Sequence, residues 1–167
     1  MKSTFVMSIV GPDIPGSIKS IAETTRGAGG EWTTSKVMRL DGQLSAMMKV
    51  VIESEREDEL KSTLKSAFSG LQFFFSDAVS RRDAATKSIS LVVDCKDRPG
   101  LTKDINTILT NLDLVVENME CNRAHVSSIG EAVFTAKVSL SVPEDVTGEA
   151  VADEIEALSD DVRVSVL

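Results

Sequence analysis

The sequence predicts an α+β protein in which one small βαββαβ unit occurs twice. Residues 13–21 read DIPGSIKSI and residues 97–105 read DRPGLTKDI, so Asp13, Pro15, Gly16, Lys19 and Ile21 stand opposite Asp97, Pro99, Gly100, Lys103 and Ile105 at one offset of 84. That offset is half of the 167-residue chain. Around both copies of the motif, stretches with the strand period and stretches with the helix period recur in the same order.

Each copy opens on an alternating strand, with Phe5, Met7 and Ile9 sharing one face in the first and Ile89, Leu91 and Val93 in the second. Asp-x-Pro-Gly then ends the strand. Proline suits a first helical turn and aspartate a helix cap, so the motif is expected to start a helix. The apolar stripe of that helix is predicted at Ile14, Ile18, Ile21, Ala22 and Thr25, and again at Leu101, Ile105, Ile108, Leu109 and Leu112. Gly27, Ala28, Gly29 and Gly30 break the first copy's helix. Strands over 31–40 and 43–53 follow, joined at Asp41-Gly42, a strong hairpin signal.

In the second copy the matching strands fall at about 114–123 and 131–142, with a loop over 124–130 that contains His125. Gly42 and Gly130 differ by 88, so four extra residues are expected there. A second amphipathic helix carries Leu60, Leu64, Ala67 and Phe68, or Val151, Ile155 and Leu158. Closing strands alternate through Leu71, Phe73 and Phe75, and through Val162, Val164 and Val166. This order implies two ferredoxin-like domains, 1–82 and 83–167, each a four-stranded antiparallel sheet with two helices on one face. The polar stretch 80–85 is read as their connection. Units of about 80 residues are marginal alone, so pairing of copies or of whole chains into a homo-oligomer is expected.

Charge narrows the function. Residues 1–83 carry 11 Lys+Arg against 11 Asp+Glu, and residues 84–167 carry 7 against 15, so the second half holds the whole net charge of −8. An acidic chain lacks the basic footprint that phosphate contacts need, which argues against direct nucleic-acid binding. No apolar run approaches the ~20 residues of a membrane span, and the stretch before Gly11-Pro12 is too short for a signal peptide, so a cytoplasmic location without membrane contact is expected.

No nucleophile elbow, P-loop or dinucleotide fingerprint is present, so no catalytic residues and no cofactor are expected. Cys95 and Cys121 are read as reduced thiols on strands that flank a third. Cys121 and the loop residue His125 lack the further ligands of a metal site. Trp32, Met47 and Met48 read as sheet packing, at least one ring of Phe73, Phe74 and Phe75 is a candidate partner contact, and the acidic run 53–59 reads as a solvated helix start.

What recurs is the turn. At a helix N-terminus, free backbone N–H groups beside a glycine form a receptor for a carboxylate or phosphate. The alternative is that Asp13 and Asp97 only cap their helices.

The strand-turn-helix stretches GPDIPGSIKSIAE and DRPGLTKDINTIL, within a two-copy βαββαβ layout that spans the chain, resemble the ACT domain family. The resemblance implies a regulatory module that binds a small amino acid such as glycine or serine. It places the ligand at Asp13, Ile14, Pro15, Gly16 and Ser17, and at Asp97, Arg98, Pro99, Gly100 and Leu101, with N–H groups on the carboxylate and an aspartate facing the amine. Tandem ACT chains without a catalytic or DNA-binding domain resemble transcriptional repressors that act by contacting a separate DNA-binding regulator. Ligand-binding members commonly carry an asparagine at the start of the second strand, where this chain has Glu31 and Val115. A carboxylate repels a carboxylate and valine donates no hydrogen bond. Two other readings stay open: a ligand-free assembly module, and an acylphosphatase-like hydrolase orienting phosphate through Arg98, whose first-copy counterpart is Ile14.

Overall fold

The computed structural model describes residues 1–79 and 86–167. The expected connection, 80–85, lies outside the described residues. The chain divides into two compact units, Met1–Arg81 and Arg82–Leu167. Unit one runs β1 (Lys2–Pro12), α1 (Ser17–Gly27), β2 (Glu31–Leu40), β3 (Gln43–Glu53), α2 (Ser54–Ala67) and β4 (Gln72–Asp77). Unit two repeats the order as β5 (Thr86–Lys96), α3 (Leu101–Asn111), β6 (Val115–Val126), β7 (Glu131–Pro143), α4 (Gly148–Glu156) and β8 (Arg163–Val166). The sheet orders are β2-β3-β1-β4 and β6-β7-β5-β8, antiparallel at every pairing. Both units have the predicted fold.

Alternation along the central strands turns one apolar row toward the helices. In unit one, Phe5, Met7 and Ile9 of β1 join Met48, Val50 and Ile52 of β3 beneath Ile21 of α1 and Leu60 and Leu64 of α2. In unit two, Leu91 and Val93 join Phe134, Val138 and Leu140 beneath Leu101, Ile105, Leu109, Val151 and Ile155. A closing aromatic group, Phe73 stacked on Phe75 with Phe5 edge-on to Phe75, finishes the first core.

Several expectations change in the structure. The first helix begins at Ser17, so Ile14 lies in the turn at 49% exposure and the buried stripe is Ser17, Ile21 and Thr25. Ala67 is exposed, and Phe68 beyond it packs on the core instead. Met47 and Met48 face opposite sides of the sheet, with Met48 buried and Met47 exposed. His125 sits on β6, paired with Ala132, not in a loop. The hairpin insertion is six residues: Ile9 faces Ala46 and Val93 faces Ala136, an offset of 90 on β7, against 84 on β5 and β6. Glycine alignment missed two of them because Gly42 and Gly130 occupy different places in their turns.

The repeat extends into backbone conformation. Gly29 and Asp113, again 84 apart, both take left-handed φ values of 82° and 55° just past a helix end. β2 and β6 each carry a bulge, between Trp32 and Thr34 and between Val116 and Asn118. Asp113→Val puts a β-branched residue in that left-handed position and is expected to cost about 1–2 kcal/mol. Asp113→Gly should leave stability unchanged or raised. Thermal unfolding of the full chain followed by circular dichroism checks both; equal behaviour of the two variants contradicts the assignment.

Candidate functional site

Each Asp-x-Pro-Gly turn is fixed at both ends. The N–H of Asp13 donates to the carbonyl of Gly42, and that of Asp97 to Ala132, both at 2.9 Å. Gly16 and Gly100 then adopt left-handed φ values of 80° and 90° as the residues before the helices, and neither helix has a side-chain cap. Asp13 and Asp97 therefore do not cap α1 and α3, contrary to expectation. The left-handed glycine carries the chain past the aspartate before the helix starts. Their carboxylates instead accept from arginines: Arg39 Nε to Asp13 at 3.0 Å, and Arg123 Nε to Asp97 at 2.9 Å. Arg39 and Arg123 are themselves 84 residues apart, a sixth identity that the sequence held and the motif comparison did not reach. Such half-exposed ion pairs contribute at most about 1 kcal/mol, so they orient the turn more than they stabilise it.

Without a cap, donors remain. The Ser17 N–H is taken by Ile14, and the first helical bonds run from Ser20 to Gly16 and from Asp104 to Gly100. Among the described residues, the N–H groups of Gly16, Ile18 and Lys19 have no backbone acceptor, nor do those of Gly100, Thr102 and Lys103. Both helices thus present unspent donors at their positive ends.

The two turns differ beside those donors. Ser17 is 7% exposed and its Oγ has no hydrogen-bond partner, whereas its counterpart Leu101 is an ordinary buried core residue. Beside Ser17 a hollow of about 270 Å³ is lined by Ile14, Pro15, Gly16, Ser20 and the stretch 67–71. That stretch comes close because Gly11 lacks a side chain: a Cβ there would lie 2.7 Å from Leu71 Cδ2 and 3.1 Å from the Gly70 carbonyl. The same register in unit two holds Cys95. No sequence signal marks 67–71 as part of the site, because only the α2–β4 crossing brings it there.

In unit two Arg98 Nη1 binds the Asp104 carboxylate at 3.0 Å, so a phosphate would have to displace that partner. A separate hollow of about 300 Å³ lies by Leu112, Leu114, Val146 and Thr147, away from the turn, where Thr147 Oγ already takes the Ala150 N–H. Glu31 and Val115 stand at the starts of β2 and β6, as aligned. Trp32 is half-buried against the first core.

Nearby electrostatics follow from local bonds. Burial, aided by the charge of Asp161, pushes the Cys95 thiol up from its ordinary range. Asp161 is held below the usual carboxylate range by the Ser159 hydroxyl and by the Lys96 backbone N–H. Glu131, 2.9 Å from Lys96 Nζ, raises that lysine. Cys95 and Cys121 are both free thiols. Among the described residues, no three His, Cys, Asp or Glu side chains are placed to hold a metal ion, and no helix is long and apolar enough to cross a membrane.

The fold and its paired turns define a class: duplicated βαββαβ modules whose first helix opens on an uncapped glycine turn. An ACT domain model matches residues 3–76 and a second matches residues 89–157, so the chain belongs to the ACT domain family, with two such domains in tandem. The chain is similar to an unknown protein from Galdieria sulphuraria, at 18% identity and a TM-score of 0.83, over 99% of this chain and 98% of that one. It is similar also to a protein proposed to be a glycine cleavage system transcriptional repressor, at 16% identity and a TM-score of 0.77, over 100% and 97% of the two chains. These likenesses are of fold. Among curated protein sequences, none matches.

A thiol that is buried and kept protonated reacts slowly. In the native protein Cys121 should be labelled by a thiol reagent at mildly alkaline pH well before Cys95, which should react fully only on unfolding. Mass spectrometry of labelled peptides reads this directly, and equal labelling contradicts it.

Proposed function

We propose that this chain is a non-catalytic regulatory protein of the cytoplasm that senses a small amino acid and acts through contact with a separate DNA-binding regulator. The observation that carries the sensing role is Ser17: a buried hydroxyl without a partner, next to unspent N–H groups and a hollow of about 270 Å³. A buried polar atom left unpaired costs about 1–3 kcal/mol, which a ligand's polar group would recover. A small amino acid supplies both needed halves. Its carboxylate takes the N–H groups of Gly16, Ile18 and Lys19, and its ammonium or a side-chain hydroxyl bonds Ser17 Oγ. Glycine and serine are the candidates that the family likeness suggests.

Of the two sets of residues that the family likeness suggests, this reading favours Asp13, Ile14, Pro15, Gly16 and Ser17. The second set, Asp97, Arg98, Pro99, Gly100 and Leu101, keeps the turn but replaces the hydroxyl with a core leucine. The net charge of −8 supports action through a protein partner instead of on DNA. The full-length likeness to a proposed glycine cleavage repressor supports the same assignment.

Calorimetric titration with a panel of small amino acids tests the site. One ligand per chain is expected, with Ser17→Leu, the residue that unit two carries in this register, weakening binding at least about tenfold, or about 1.4 kcal/mol. Silence across the panel would favour an assembly module, a reading that Glu31 and Val115 support. Co-purification of a DNA-binding regulator with the tagged chain tests the partner.

A further inference from the structure

The two units also differ where the first helix ends and the second begins. The buried pairs Leu60 and Leu64 of α2 and Val151 and Ile155 of α4 set a register of 91 between the second helices. In unit one, Arg56 lies across the turn that ends α1: a Cβ on Gly29 would stand 3.0 Å from Arg56 Nη1 and 3.9 Å from its Cζ. The guanidinium therefore sits at the negative end of that helix, whose last turn also holds Arg26. In unit two both cations are replaced. The register puts Thr147 at the place of Arg56, with its hydroxyl spent on the Ala150 N–H, and α3 has no basic residue in its last turn. What stands there instead is the hollow of about 300 Å³.

The chemistry of this hollow is the complement of the missing group. Its floor is apolar, with Leu114 and Val151 buried, Val146 half-buried and Leu112 at the rim. Two carboxylates line it, Asp145 and Glu154, and Glu154 stands in the register of the neutral Thr63. Asp113, between Leu112 and Leu114, takes the left-handed place of Gly29 and adds a third acid beside it. Among the described residues, no hydrogen bond or ion pair engages the carboxylates of Asp113, Asp145 or Glu154.

We propose that this hollow receives an arginine side chain presented by a partner protein. An aliphatic stem suits the leucine and valine floor, and a planar guanidinium meets the carboxylates and the negative end of α3 together. Unit one shows that the fold accepts an arginine at this place, supplied there by its own second helix. The source is a protein, because no Lys or Arg lines the hollow to meet the carboxylate of a free amino acid, which the surrounding acids would repel. Arginines seated in such pockets are common anchors of protein interfaces. This docking does not depend on an amino acid at the turn of unit one.

Backbone amide resonances of the full chain, titrated with Nα-acetyl-arginine N-methylamide, test it. Saturable shifts are expected at Leu112, Val146, Thr147 and Ala150, with a Kd of about 1 mM for this single side chain. The corresponding blocked norleucine should move none of them. Asp145→Asn with Glu154→Thr should weaken binding at least about tenfold, the equivalent of one charge-assisted hydrogen bond. If that variant loses its circular dichroism signature, Leu112→Ala, the residue that unit one carries as Ala28, should weaken binding about tenfold as well. The absence of saturable shifts at these resonances overturns the proposal. So do equal affinity for the blocked lysine and shifts that survive folded variants of both kinds. Free arginine binding about tenfold tighter than the blocked form also overturns it, since the hollow would then be a small-molecule site.

Discussion

The geometry of this protein turns on a left-handed glycine between a strand and a helix. At φ values near 80° and 90°, Gly16 and Gly100 reverse the chain where an ordinary residue would be strained. The reversal has two consequences. It carries the aspartate of Asp-x-Pro-Gly away from the helix axis, where Arg39 or Arg123 holds it, and it starts the helix with no cap. Donors that a capping side chain would have used stay unspent. The unspent donors of the turn are thus a result of backbone conformation, with the ion pair holding the aspartate aside.

Duplication makes the differences between the halves informative. The two turns share conformation, ion pair and hydrogen-bonded entry, so the features found in only one of them are not needed to form the turn. Ser17 against Leu101 is the clearest case. A leucine there satisfies the core, and a serine leaves a hydroxyl buried with nothing to bond. The outer sheet faces diverge in the same way, with Met47 and Phe74 of unit one standing where unit two has Lys137 and Ser165. Unit one has the hollow beside its turn, while unit two carries the excess acidic charge.

Much of this was legible in the sequence. Five identities at one offset exposed the duplication, and alternation placed Phe5, Met7, Ile9, Leu91 and Val93 on the buried faces they occupy. The hairpin at Asp41-Gly42 fixed β2 and β3 at their observed bounds. Local propensity failed where tertiary placement decides. Aspartate is a good cap in isolation, but the glycine three residues on in the motif removes it from the helix. Serine reads as a surface residue, so Ser17 gave no hint of burial. The approach of 67–71 to the turn depends on Gly11 and on how α2 crosses β1, which no linear pattern records. His125 read as a loop residue because the hairpin of unit two is longer than its glycine spacing implied.

The central claim is that unit one's turn, and not unit two's, receives the carboxylate of a small amino acid. Backbone amide resonances titrated with glycine and with serine test this most directly, since they report each N–H separately. The account predicts saturable shifts at Gly16, Ile18 and Lys19 with little movement at Gly100, Thr102 and Lys103. Equal shifts in both turns, or none at saturating ligand, would contradict it.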